Sequence, residues 1–141
     1  LLNIPKLRAK AYEEALKKYL TLVLRDGRAA GLILYGSLAK GLEKPYPESD
    51  IDVLVVAESI PKDLFERRMM ALKIKEDCLL IEDIWITPEE LIDAVRGGWG
   101  LILDALEDGV VIYDRNGTIA EAKNILKLNY KRLGRIWILK T

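Results

Sequence analysis

The chain has 141 residues, half of them apolar and 31% charged, and its 22 basic and 22 acidic side chains cancel. That is the size and balance of one soluble globular domain spanning residues 1–141, and its longest apolar runs (51–57 and 78–86) are too short and too acidic to cross a bilayer. With no histidine and a single cysteine, the chain cannot build Ser-His or Cys-His catalysis, a His-containing metal site, an internal disulfide or a Cys-rich zinc site. Any metal must then be a hard one held by oxygen, Mg²⁺ or Mn²⁺. The segment from Leu1 is charged and amphipathic, without the layout of a signal peptide, and a reducing, cytoplasmic setting is expected.

In chain order, Leu7, Ala11, Ala15, Tyr19 and Val23 recur at helical spacing and predict a helix over 5–25, closed by Asp26-Gly27. Residues 30–35 read as a compact apolar strand running straight into Gly36-Ser37, with a short helical segment over 38–41. A loop rich in Gly, Pro and charge follows, and 51–57 is a β-branched strand with Asp50 and Asp52 at its start. Ser59 and Pro61 open a second helix, for which Leu64, Phe65, Met69 and Leu72 are the expected inner face.

A third strand is expected over 79–86, with Cys78 a small buried hydrophobe at its entrance. It stops at Thr87-Pro88-Glu89-Glu90, a capping box with proline at the first helical position. The following helix runs to about Arg96 and breaks at Gly97-Gly98. A further helical stretch reaches Glu107, a short strand covers 110–113, and Thr118 with Glu121 predicts a capping box for a last helix over 118–133, ended by Gly134. Trp85, Trp99 and Trp137 are expected to pack, Trp99 between two helices, although it could also stack on a base. Residues 115–141 hold seven Lys or Arg against Glu121 alone. That basic segment reads as a solvated helix face, with nucleic acid as the other candidate, and 135–140 alternates like an edge strand. The fold class is α+β, a small mixed sheet covered by helices.

Residues two apart in a strand point the same way, so Asp50 and Asp52 project together. Two carboxylates so close repel each other unless a cation lies between them, which suits a divalent-metal clamp. Gly36 lets backbone approach a phosphate closely, and the Ser37 hydroxyl and neighbouring N–H groups can donate to it, with Lys40 near enough to add a charge. A third acid on a neighbouring strand would complete the set. Glu82 and Asp83 are the choices, and they face opposite sides. Asp83 is preferred and Glu82 held in reserve.

The order Gly-Ser, a loop, S-D-I-D-V-L-V-V, then E-D-I-W followed by T-P-E-E-L resembles the DNA polymerase β-type nucleotidyltransferases, and among them the minimal (MNT) group. The resemblance covers residues 30–90, and 109–114 is similar to the family's later strand. It implies that Gly36 and Ser37, with Lys40, hold the phosphates of an NTP, ATP above all. It implies that Asp50 and Asp52 hold two Mg²⁺ ions, and that Asp83 shares one and helps deprotonate the acceptor. Two departures stand out. The loop of 38–49 is longer than is usual in the family, and Lys40 stands where arginine is frequent, so it could meet phosphate only as a point charge. The implied activity is transfer of an NMP, AMP first, to an acceptor. With no room here for a second, acceptor-gripping domain, the acceptor would come from a homodimer or a separate protein. In the resembling family this is often a HEPN-type toxin paired with the nucleotidyltransferase as antitoxin. Transfer to RNA or a small molecule, and a non-catalytic nucleotide- or partner-binding module, are the alternatives.

Overall fold

The structure, a computed structural model, describes residues 2–141; Leu1, part of the N-terminal segment read above, lies outside them. Its elements are α1 (Lys10–Asp26), β1 (Ala29–Tyr35), α2 (Ser37–Lys40), β2 (Ile51–Ala57), α3 (Leu64–Lys75), β3 (Ile81–Ile86), α4 (Pro88–Arg96), α5 (Gly100–Asp108), β4 (Val110–Asp114), α6 (Thr118–Asn129), β5 (Tyr130–Leu133) and β6 (Ile136–Leu139). The main sheet has the order β3-β2-β1-β4. β1 pairs antiparallel with both β2 and β4, whereas β2 and β3 run parallel. The expected mixed α+β architecture is therefore present.

Both faces of this sheet are covered, which explains why its strands read as near-continuous apolar runs. Leu32, Leu34, Val53, Val55 and Trp85 pack against Tyr12, Leu16, Tyr19 and Val23 of α1. From the opposite face, Ile33, Leu54, Val56 and Ile86 meet Leu91 and Val95 of α4, Ile102 and Leu106 of α5, and Ile119 and Leu126 of α6. Cys78 is buried as expected, beside the first of these clusters.

Local signals succeeded where they were chemical. The Thr87 capping box is complete: Glu90 N donates to Thr87 Oγ1 at 3.1 Å and Thr87 N donates to Glu90 Oε1 at 2.8 Å. At α1, Gly27 takes φ +89° and its N–H returns to the Val23 carbonyl, a left-handed cap that glycine adopts without strain. The helix itself begins only at Lys10, because residues before it are engaged elsewhere. Asn3 N donates to the Ile112 carbonyl at 2.8 Å, drawing the start of the chain along β4.

Four expectations need correction. The last helix stops at Asn129, and 130–139 form a β5–β6 hairpin in which Gly134 (φ +61°) is the turn, not a helix end. Arg132 fixes that hairpin to α5 through Asp104 at 2.7 Å and Asp108 at 2.8 Å. The start of α6 is not capped by Thr118; the Asp114 carboxylate, from the end of β4, accepts the N–H groups of Ile119 and Ala120.

Helix α3 is rotated relative to its predicted face. Leu64, Phe65, Met69 and Leu72 are 74%, 73%, 50% and 41% exposed, while Arg67 and Ala71 are buried. The buried Arg67 guanidinium is satisfied, donating to the carbonyls of Pro61 and Trp85 and pairing with both oxygens of Glu90. A fully bonded guanidinium can occupy an inner position that apolar periodicity alone would assign to leucine. Trp99, expected between helices, is 47% exposed. Trp137 is half-buried on the hairpin, with its ring under the Arg132 guanidinium and its indole N–H bonded to Asp104.

Candidate active site

At the C-terminal end of β1 the chain turns at Gly36, next to the first residues of β2. Tyr35 lies directly across from Asp52 in the antiparallel pair. Gly36 takes φ +76° and ψ −155°, a conformation essentially restricted to glycine. A Cβ built there would collide with the Asp52 carboxylate. Glycine is thus required twice, by its backbone angle and by the carboxylate against it. Ser37 begins the single turn of α2; its carbonyl accepts from Leu42 N, and its hydroxyl has no hydrogen-bond partner among the described residues.

Parallel pairing of β2 with β3 sets Asp52 beside Glu82 and Val53 beside Asp83. Neighbours in register share a face of the sheet. Glu82 therefore stands on the side of Asp52, exposed. Asp83 stands on the other side, in the layer with Tyr19 and Trp85. Its carboxylate is fully engaged there: Oδ2 accepts from the Tyr19 hydroxyl at 2.7 Å and from Trp85 Nε1 at 2.9 Å, and Oδ1 accepts from Arg68 at 3.3 Å. The preference for Asp83 as the third carboxylate is corrected by this geometry. The sheet lies between Asp83 and the Asp50/Asp52 pair, and Glu82, the reserve, is the acid that joins them.

The acids also act on one another electrostatically. Partial burial raises the Asp52 pKa to about 6, with the nearby charges of Asp50 and Glu82 pushing it in the same direction. Tyr35 is pushed up to about 12, first by burial and then by the charges of Asp52, Glu82 and Asp83, so its hydroxyl stays protonated beside the acids. Tyr35 is a residue that the strand pattern over 30–35 does not single out. Its i−1 position to the Gly-Ser turn was the available signal. A cluster of like charges that destabilises its own ionisation suits a cation, and an all-carboxylate donor set suits Mg²⁺ or Mn²⁺. Among the described residues no three acids are already drawn to ligating spacing. Asp50 and Glu82 are exposed side chains, and only Asp52 is positioned by packing.

Lys40 points elsewhere. Its Nζ lies 3.6 Å from Asp108 Oδ2, in the cluster that Arg132 also joins. The Arg132 bond holds the Asp108 carboxyl below its usual range. The same cluster takes Arg132 out of the free basic surface that nucleic acid could meet. Clefts of about 550 and 740 Å³ lie against α1 and α3, and neither is lined by a site carboxylate. Asp50 and Glu82 are exposed, and Asp52 between them is half-buried.

A helix-covered mixed sheet with a Gly-Ser turn packed on a D-x-D strand defines a nucleotidyltransferase fold. Residues 16–112 match the nucleotidyltransferase domain family, and the chain belongs to it, in keeping with its polymerase β-like, minimal-group pattern. A Methanocaldococcus jannaschii protein that carries the name of a protein adenylyltransferase is 31% identical over 116 residues, covering 76% of this chain and 74% of that one. Among solved structures, one described as the toxin–antitoxin with AMP-PNP superposes with a TM-score of 0.54 at 19% identity, covering 79% of this chain and 83% of that one. A Sulfolobus solfataricus structure described as a nucleotidyltransferase gives a TM-score of 0.49 at 19% identity, over 72% and 79%. No helix among the described residues is long and apolar enough to cross a membrane.

Proposed function

We propose that this domain transfers a nucleoside monophosphate, AMP first, from an NTP to a hydroxyl of a partner protein, with Asp50, Asp52 and Glu82 as the metal ligands. The observation that carries the reading is the placement of Asp52 between Gly36 and Glu82, on one face and at one end of the sheet. AMP as the group transferred is supported by the name of the M. jannaschii relative, and a protein partner by that name and by the toxin–antitoxin neighbour. A HEPN-type toxin as that partner rests on the family resemblance.

Mg²⁺ held there would neutralise the triphosphate and stabilise charge on the attacking and leaving oxygens. Gly36 allows the backbone of the turn to approach the phosphates, and the unbonded Ser37 hydroxyl donates to them. Asp52, fixed by packing, sets the position of the reacting phosphate. Asp50 and Glu82 close on it from exposed positions. With no histidine in the chain, the acceptor hydroxyl gives its proton to a carboxylate, Glu82 in this reading. The acceptor oxygen bonds to the α-phosphorus, the bond from that phosphorus to the β-phosphate oxygen breaks, and pyrophosphate leaves. Lys40 would have to leave Asp108 to reach a phosphate, so its part is secondary.

The test is incubation with α-labelled ATP, Mg²⁺ and cell extract, beside the Asp50→Ala/Asp52→Ala double variant. Label on a protein supports the reading, and label on RNA or a small molecule moves the acceptor to another class. Label that does not depend on the two aspartates, or none at all, sinks the enzymatic reading.

A further inference from the structure

Helix α3 lies on the face of the sheet opposite to Asp52 and carries the largest exposed apolar stripe on any helix. Phe65, Met69 and Leu72 stand at i, i+4 and i+7, one line along the helix, and all are exposed. Their periodicity is that of a buried face, yet it points outward because Arg67 and Ala71 occupy the inward line. Exposed apolar residues at strict helical spacing mark a binding surface more often than chance scatter.

The charges beside the stripe identify what it fits. Glu66 and Lys73 both flank the stripe on the same side, both are exposed, and neither side chain has an ion-pair partner among the described residues. Seven positions apart, they are two turns from each other and cannot pair within the helix. They are, however, equally spaced about a point next to Met69. Rotating a second α3 by a half-turn about that point runs the helices antiparallel. Met69 then meets Met69, Phe65 meets Leu72, and each Glu66 meets the Lys73 of the other copy. The stripe and its flanking charges are self-complementary.

We infer that α3 is a homodimer interface, packed antiparallel on a second copy of this chain about a two-fold axis at Met69. A two-fold contact uses the same patch on both subunits, which is the property this patch has. On the other side of the helix Arg68 is already committed to Asp83 and offers no competing charge. A helix of 12 residues buries less than the roughly 800 Å² per partner of a standard interface, so the dimer is a weak one, with dissociation in about the micromolar range. Because α3 and the carboxylates lie on opposite faces, both sites stay open to substrate in the dimer. The inference is independent of catalysis.

Sedimentation equilibrium of the purified chain over a wide concentration range reads it directly. The wild type should shift from one chain to two as concentration rises. Met69→Glu should hold it at one chain. Glu66→Lys should raise the dissociation constant by about tenfold, because two attractions become two repulsions. Glu66→Lys with Lys73→Glu should restore it, a rescue that general loss of surface character would not give. All three positions are exposed, and a thermal melt confirms that each variant is folded. A wild type that stays a single chain throughout, a dimer indifferent to Met69→Glu, or a double swap no tighter than Glu66→Lys alone overturns the inference.

Discussion

The two faces of β3 put adjacent acids to opposite uses. Glu82 and Asp83 are neighbours in sequence, and one strand alternation separates them. Asp83 is buried, with three donors around its two oxygens, tying α1, α3 and β3 together. Glu82 is exposed, with no such donors, and adds its charge to Asp52. The lesson is that an acid with both oxygens hydrogen-bonded is part of the scaffold, while an acid that makes its neighbour harder to ionise is a candidate for holding a cation.

The sharpest way to break this contrast is to remove Asp52. Asp52→Ala should lower nucleotide transfer on the order of 10³-fold, measured with labelled ATP, and leave the melting temperature undiminished. A variant that keeps near-normal transfer would overturn the proposed metal site.

Next comes the pair itself. Glu82→Gln should cost transfer roughly 10²-fold with stability unchanged, whereas Asp83→Ala should cost about 3 kcal/mol of unfolding free energy in urea, because Tyr19, Trp85 and Arg68 lose their acceptor. The reverse outcome, activity following Asp83 and stability following Glu82, would restore the assignment made from sequence.

A smaller effect tests the electrostatics in metal-free protein. The folded-state pKa of Asp52 is pushed above the ordinary carboxylate range, to about 6. Its contribution to stability is therefore full below the unfolded value and is lost as pH rises through about 6. Asp52→Asn should gain on the wild type across that window, by about 1 kcal/mol after allowance for solvent exposure. Melting both proteins without metal at pH 4 and pH 8 measures it. A constant difference at the two values would refute the mutual repulsion. The smallest effect expected is that of Lys40→Ala. Its ion pair with Asp108 is partly exposed and is worth at most about 1 kcal/mol. A large loss of transfer would show that Lys40 leaves Asp108 for the substrate.

Much of this molecule was legible along the chain. The strands, the Thr87 capping box, the Gly36 turn and the Asp50/Asp52 alternation all follow from rules acting over a few residues. The errors lay where a distant partner decides. The helical line of Leu64, Phe65, Met69 and Leu72 was recognised but placed inward, because periodicity gives a stripe and not its direction. Residues 130–133 continue a helical pattern, but β6 and the Asp104/Asp108 carboxylates draw them into a hairpin.

By itself, then, the sequence determined the ingredients: a glycine-requiring turn, two carboxylates on one side of a strand, no histidine, and a mixed α+β chain. Tertiary structure alone decided which acid of Glu82-Asp83 accompanies them. Alternation says only that the two diverge. Which one faces Asp52 depends on the register of two strands separated by the whole of α3, and that register is set by the packing of both sheet faces.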